Sequence, residues 1–119
     1  MSTNIAVLGR GRMGRAILSC IADANDLQVA GVWVRMGAVD DGDNPANESA
    51  NLAAVLSLAD VAIDFTLPAV TEQIIAASVE ARIPLVCGVS GLTVANRQQL
   101  AEAAKIIPLL YDRNLSLGI

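Results

Sequence analysis

The 119-residue sequence predicts an α/β fold, a doubly wound parallel sheet with helices on both faces. Three observations carry this. Short runs rich in Val, Ile and Leu alternate five times with stretches of helical character. Each run is apolar throughout, as a strand buried on both faces must be, and does not alternate in and out. Apolar residues make up 54% of the chain but aromatics only 3%, so the core has to be Ala, Val, Leu and Ile, which suit helices layered on a sheet.

The elements follow in order. Residues 4–8, "NIAVL", form a β-rich run that stops at Gly9. Residues 13–24 place Met13, Ala16, Ile17, Cys20, Ile21 and Ala24 at helical spacing, which predicts a helix with that face buried. Residues 27–34, "LQVAGVWV", read as a second strand. Residues 35–50 carry Gly, Asp, Asn and Pro and read as a mobile loop, and "ESANLAAVLSLA" can then hold a short helix. Residues 60–65, "DVAIDF", are the third strand. A helix over 67–81 follows, with Pro68 suited to its first turn. "IPLVCG", 83–88, is the fourth strand, Thr93 caps a helix to about Lys105, and 106–111, "IIPLLY", is the fifth strand.

Composition excludes several functions. The net charge of −4 argues against a nucleic-acid-binding surface. Three of the eight basic residues, Arg10, Arg12 and Arg15, nevertheless fall within six positions, which points to a small anionic ligand. There is no histidine, and the two cysteines, Cys20 and Cys87, are far apart, so neither a structural zinc site nor a His-based triad is expected, and no metal. Both cysteines read as buried thiols in a reducing cytoplasm. Cys87 has no His or Lys neighbour in sequence to activate it. No signal peptide is recognisable, and no apolar run approaches the roughly 20 residues of a membrane span, so a cytoplasmic protein without membrane contact is expected.

The chemistry is concentrated in "VLGRGRMGRA". Gly9-Arg10-Gly11-Arg12-Met13-Gly14 fits GxGxxG, after the first strand and opening the first helix. In that setting the first glycine permits a tight turn, the second lets a pyrophosphate approach the backbone, and the third lets helix and strand pack closely. The helix N-terminus then offers free N–H groups and a positive dipole end to phosphate. A purely structural turn is the alternative. Arg12 is the candidate phosphate ligand among the three arginines, whereas Arg15, inside the first helical turn, reads as solvated. At the end of the second strand, where an NAD-binding domain usually has an acid for the ribose hydroxyls, stand Val34 and Arg35. Arg35 could pair with a 2′-phosphate, which favours NADPH over NADH. Against this, Arg35 could be a solvated loop residue, and Asp40 or Asp41 could fold back onto a ribose. The other strands end in "DFTLP", "GVSGL" and "YDRNLSLG", and a parallel sheet brings such loops to one edge. Asp64 could be a base, but at the end of a strand it reads rather as a hydrogen-bond acceptor for nearby backbone.

"GRMGR", "IDFTLP", "GVSGL" and "NLSLGI", in this order, resemble the N-terminal, Rossmann-like domain of bacterial dihydrodipicolinate reductase, over essentially the whole chain. The resemblance implies that Gly9, Arg10, Gly11, Arg12, Met13 and Gly14 cradle a pyrophosphate. It implies that Val34 and Arg35 discriminate at the adenosine ribose, and that Phe65 and Thr66 lie beside the cofactor. Gly88, Val89 and Ser90 would form the nicotinamide-side loop, with Asp112, Arg113, Asn114 and Leu115 a further contacting stretch. The first loop here is the shorter GxGxxG form, the family's usual acid is Val34, the segment 35–59 is shorter than in many members, and the aromatic common near Leu115 is absent. The missing acid at Val34 tilts the expected cofactor toward NADPH, with NADH as the alternative, and the missing aromatic implies a different packing of the nicotinamide.

The family also implies a role in the diaminopimelate route to lysine, with hydride delivered to a cyclic imine-type substrate. The family's second domain carries a His-rich motif, binds substrate, supplies a proton and builds a homotetramer. Residues 1–119 are therefore expected to be the NAD(P)-binding domain only, with no catalytic residue of their own. By itself the chain is expected to be monomeric or weakly associated, to bind the dinucleotide, and to meet the small-molecule substrate only together with that second domain. The rival reading is a non-catalytic nucleotide-binding or sensor module. A reductase of the aspartate or homoserine type is a third, against which "IDFT" argues.

Overall fold

A computed structural model describes residues 3–9, 12–34, 48–49 and 51–111. In chain order the elements are β1 (Thr3–Leu8), α1 (Arg12–Ala22), β2 (Leu27–Trp33), β3 (Glu48–Ser49), α2 (Leu52–Ser57), β4 (Val61–Asp64), α3 (Pro68–Ala81), β5 (Leu85–Cys87), α4 (Val94–Ala103) and β6 (Leu109–Tyr111). All the strands pair in parallel, in the order β3-β2-β1-β4-β5-β6. This is the Rossmann strand order, and it reverses direction between β1 and β4.

Period-2 geometry splits the strand residues between two cores. Ile5, Val7, Val32 and Val34 face one side and pack with Ile17, Leu18 and Ile21 of α1. Ala6, Leu8, Trp33, Ala62, Leu85 and Cys87 belong to the other cluster, under Leu52, Val55 and Leu56 of α2, Ile74 and Ile75 of α3, and Leu100 and Ala103 of α4. Leu8, Leu56, Ile74, Ile75 and Leu85 are fully buried, and each contributes about 1.5–3 kcal/mol relative to exposure.

Local signals place the helix ends. Pro68 stands in the first turn of α3, where its missing N–H is not needed. Thr93 caps α4 in a reciprocal box, accepting from the Asn96 N–H at 3.1 Å while its own N–H donates to Asn96 Oδ1 at 3.2 Å.

Five expectations are corrected. Residues 48–49, placed in a loop and in reach of a short helix, instead extend the sheet by pairing with Val32 and Trp33; a two-residue strand carries no periodicity to read. On α1 Ile17 and Ile21 face the core as expected, but their companions are Gly14 and Leu18, with Ile17 and Leu18 half-buried and Ala16 exposed. That rotation seats Gly14 against the β1 turn. Cys20 is consequently exposed and only Cys87 is buried. Ile106 and Ile107 belong to the turn after α4, both N–H groups donating to the Ala103 carbonyl at 2.9 Å, so the last strand begins beyond Pro108. Finally, not every strand is covered on both faces: Leu110 in the edge strand β6 is 54% exposed. The expected loop over residues 35–47 lies outside the described residues.

Candidate functional site

The strand registers align the carboxyl ends in one row. Ser49 pairs with Trp33, Trp33 with Leu8, Leu8 with Asp64, Asp64 with Cys87, and Cys87 with Tyr111. A register shift between Ile5 and Ala6 in the β1–β2 pairing brings Trp33, rather than Val32, opposite Leu8. The residues that follow therefore leave the sheet side by side. Gly9 N–H donates to the Trp33 carbonyl at 2.9 Å, Phe65 N–H to the Leu8 carbonyl at 3.3 Å, and Gly88 N–H to the Asp64 carbonyl at 2.9 Å. The edge is thus a continuous backbone-bonded rim, and its centre is the β1/β4 point where the strand order reverses, the place where doubly wound sheets bind ligands.

Each glycine at this rim meets a specific neighbour. Gly9 has φ of +105°, a conformation that glycine reaches without steric penalty. Thr66 Cγ2 lies 3.0 Å from where a Cβ on Gly9 would stand. A Cβ on Gly14 would fall on the Gly9 carbonyl oxygen and 3.1 Å from its carbonyl carbon. The absence of a side chain there lets α1 lie against the turn that precedes it. At Gly88 a Cβ would enter the ring of Phe65. No acid stands in the first turn of α1, so the positive end of its dipole is uncompensated within the helix. Arg15 in that turn is exposed.

The one buried carboxylate among the described residues is Asp64, which is 0% exposed. Its Oδ1 accepts from the Thr66 N–H at 2.8 Å and from the Thr66 hydroxyl at 2.6 Å. Its Oδ2 is buried without a hydrogen-bond partner among the described residues. Burial raises its pKa above the ordinary carboxylate value, and the two Thr66 bonds oppose that shift without cancelling it. Beside it, burial pushes the Cys87 thiol up to about 11, with the Asp64 charge adding to the rise and a bond from the Val89 backbone opposing it. Cys87 is therefore a protonated core thiol.

The structure brings Gly9, the start of α1 at Arg12, Met13 and Gly14, Phe65, Thr66, Gly88, Val89 and Ser90 to one edge of the sheet. Val34 follows β2 there, 4% exposed, with its side chain in the α1-side core. Val89 is also buried, at 2%, whereas Ser90 is exposed. Arg10, Gly11, Arg35, Asp40, Asp41, Asp112, Arg113, Asn114 and Leu115 lie outside the described residues. Sequence reading placed Asp64 as a local acceptor, which the Thr66 bonds bear out. It missed that the acceptor serves both the N–H and the hydroxyl of Thr66, whose methyl stands beside Gly9; the D-x-T spacing at the end of an apolar strand was the available signal.

The family model described as "Dihydrodipicolinate reductase, N-terminus" matches residues 3–115. The chain belongs to this family. A 4-hydroxy-tetrahydrodipicolinate reductase of Thermomicrobium roseum is 37% identical over 119 residues, covering 92% of this chain and 44% of the relative. One of Xanthomonas campestris pv. campestris is 40% identical over 110 residues, covering 92% and 46%. The chain thus spans less than half the length of these relatives. A dipicolinate-bound dihydrodipicolinate reductase from Paenisporosarcina sp. TG-14 superimposes with a TM-score of 0.81 at 21% identity, over 99% of this chain and 49% of that one. A Staphylococcus aureus homoserine dehydrogenase gives 0.75 at 15% identity, over 94% and 33%. At such identities these structures speak for the Rossmann-like fold alone. Among the described residues no helix is long and apolar enough to cross a membrane.

Proposed function

We propose that this chain is the NAD(P)H-binding domain of a 4-hydroxy-tetrahydrodipicolinate reductase acting in the diaminopimelate route to lysine. The observation that carries the reading is the collinear rim of strand ends at the β1/β4 reversal, with Gly9 in a left-handed turn and Gly14 seating α1 directly behind it. That arrangement fits a dinucleotide. The turn leaves no side chain between β1 and the start of α1 at Gly9, and the helix end offers N–H groups to an anion.

The roles divide by stretch of sequence. Gly9, Arg10, Gly11, Arg12, Met13 and Gly14 hold the pyrophosphate, with Arg12 as the phosphate cation. Val34 and Arg35 meet the adenosine ribose, where the absence of an acid and the presence of Arg35 favour the 2′-phosphate of NADPH over NADH. Phe65 and Thr66 flank the cofactor at the centre of the rim. Gly88, Val89 and Ser90, with Asp112, Arg113, Asn114 and Leu115, orient the nicotinamide end. The bound cofactor supplies the hydride, and these residues bind and aim it. Substrate binding, proton donation and tetramer formation belong to a second domain outside residues 1–119, so the chain by itself binds the dinucleotide but turns over substrate poorly. On this reading the chain is assigned to the cytoplasm.

The test is a titration of NADPH and NADH, separately, followed by Trp33 fluorescence, with Arg35→Ala as control. Trp33 is suited because its carbonyl accepts the Gly9 N–H. Saturation that is tighter for NADPH and weakened in Arg35→Ala is the expected result. Equal affinity for both removes the discriminating role of Arg35. No saturation with either, from a folded chain, overturns the reading.

A further inference from the structure

We propose that Asp64 is a positioning residue for the dinucleotide, acting through Thr66 on the glycine turn. The inference rests on the dinucleotide reading above. In the terminal row Asp64 stands between Leu8 and Cys87, neither of them a cation, on a face otherwise filled by apolar side chains. A carboxyl group is costly at such a position unless its bonds serve a purpose there. Those bonds go to one residue. Both the N–H and the hydroxyl of Thr66 donate to Oδ1, at 2.8 and 2.6 Å, which fixes the backbone and the side-chain rotamer of Thr66 together.

The fixed rotamer has a consequence across the strand gap. It sets Thr66 Cγ2 3.0 Å from the position of a Cβ on Gly9, so the threonine methyl borders the space that Gly9 leaves open. Gly9 at φ +105° has no side chain of its own to hold its turn, and glycine pays the largest entropy to be held. The chain from Asp64 through Thr66 to Gly9 supplies that constraint from the adjacent strand. It preorganises the turn on which the pyrophosphate is to rest, and a preorganised site binds more tightly because less freedom is lost on binding.

The 119-residue chain and its variants are titrated with NADPH by calorimetry, and each is unfolded in urea as a separate readout. Asp64→Ala is expected to weaken binding about tenfold, the effect of losing one or two strong hydrogen bonds. Asp64→Asn keeps an Oδ1 acceptor for both Thr66 donors and is expected to bind within about twofold of the original chain. Thr66→Ala removes the hydroxyl bond and the Cγ2 methyl but keeps the N–H bond to Oδ1, so in that background Asp64→Ala is expected to cost only about threefold. Thr66→Ser retains both bonds but lacks the methyl against Gly9, and is expected to weaken binding about threefold. That variant and Asp64→Asn decide the matter even if Asp64→Ala does not fold. A purely structural Asp64 gives a different pattern: lower urea midpoints with unchanged affinity of the folded chain, or an Asp64→Ala loss undiminished in the Thr66→Ala background. Either overturns the proposal, as does wild-type affinity in Thr66→Ser. If the original chain binds neither NADPH nor NADH, the dinucleotide reading fails and this inference with it.

Discussion

The ring of Phe65 occupies the space in which a side chain on Gly88 would begin: its Cδ1 and Cζ lie 2.8 Å from the position a Cβ would take. β4 and β5 are adjacent, and the Gly88 N–H is bonded to the Asp64 carbonyl, so neither backbone can retreat without breaking the rim. Gly88→Ala is therefore expected to destabilise the chain by about 1–3 kcal/mol through overpacking. Phe65→Ala frees that space, so the double variant should be less destabilised than the sum of the single ones. Urea unfolding of the four proteins checks this, and strict additivity contradicts the contact.

Gly14 faces a harder obstacle, because its neighbour is backbone. A Cβ there meets the Gly9 carbonyl oxygen, which belongs to a turn already held by the Trp33 carbonyl. Gly14→Ala is expected to cost about 2–3 kcal/mol in spite of alanine's better helix propensity, since α1 must lift off the sheet. Ala16→Gly, at an exposed position of the same helix, is expected to cost only about 1 kcal/mol. Equal urea midpoints for the two variants would contradict the close seating of α1 on the turn.

The fold was legible because its signals are local. Gly9 and Gly88 end their strands at the residue expected, Pro68 starts α3, and Thr93 caps α4. What could not be read depends on contacts across the structure. The spacing of α1 predicts a stripe through Ala16 and Cys20, whereas the structure turns Gly14 and Leu18 inward beside Ile17 and Ile21. The close seating of Gly14 on Gly9 accompanies that rotation, and it is a contact the spacing does not contain. The strand at Glu48–Ser49 exists through its partners on β2, and its two residues hold no pattern of their own. At the site, the glycine motif was visible as a motif. The brace from Asp64 through Thr66 joins two strands that are far apart in sequence, and nothing in GxGxxG announces it.

The reversal at Cys20 yields a chemical prediction. Cys20 is exposed on the outer face of α1, while Cys87 is buried with its thiol pushed up to about 11. Near pH 7 the native chain should expose one readily reacting thiol to an aromatic disulfide reagent, and the urea-unfolded chain two. Cys20→Ser should abolish the fast phase and Cys87→Ala should leave it intact. A fast phase that survives Cys20→Ser would place Cys87 within reach of solvent, contrary to its position in the core.

Asp64 should also leave a mark on stability as a function of pH. Its carboxyl is raised above the ordinary value because burial disfavours the charged form more than the Thr66 bonds favour it. The native chain then keeps this proton to higher pH than the unfolded chain does. Between the unfolded and the folded pKa the unfolded state binds fewer protons, so the Asp64 contribution to stability falls as pH rises. Below that window the contribution is insensitive to pH, and above it the penalty of a buried charge is fully present and constant. Asp64→Asn is uncharged throughout and keeps an acceptor for Thr66. Its stability relative to the original chain should rise as pH is raised from about 4, the ordinary carboxylate range, and then level off. Paired urea curves across that range measure the difference directly. A difference that moves in favour of aspartate with rising pH would mean that the ionised carboxylate gains more from Thr66 than it loses by burial.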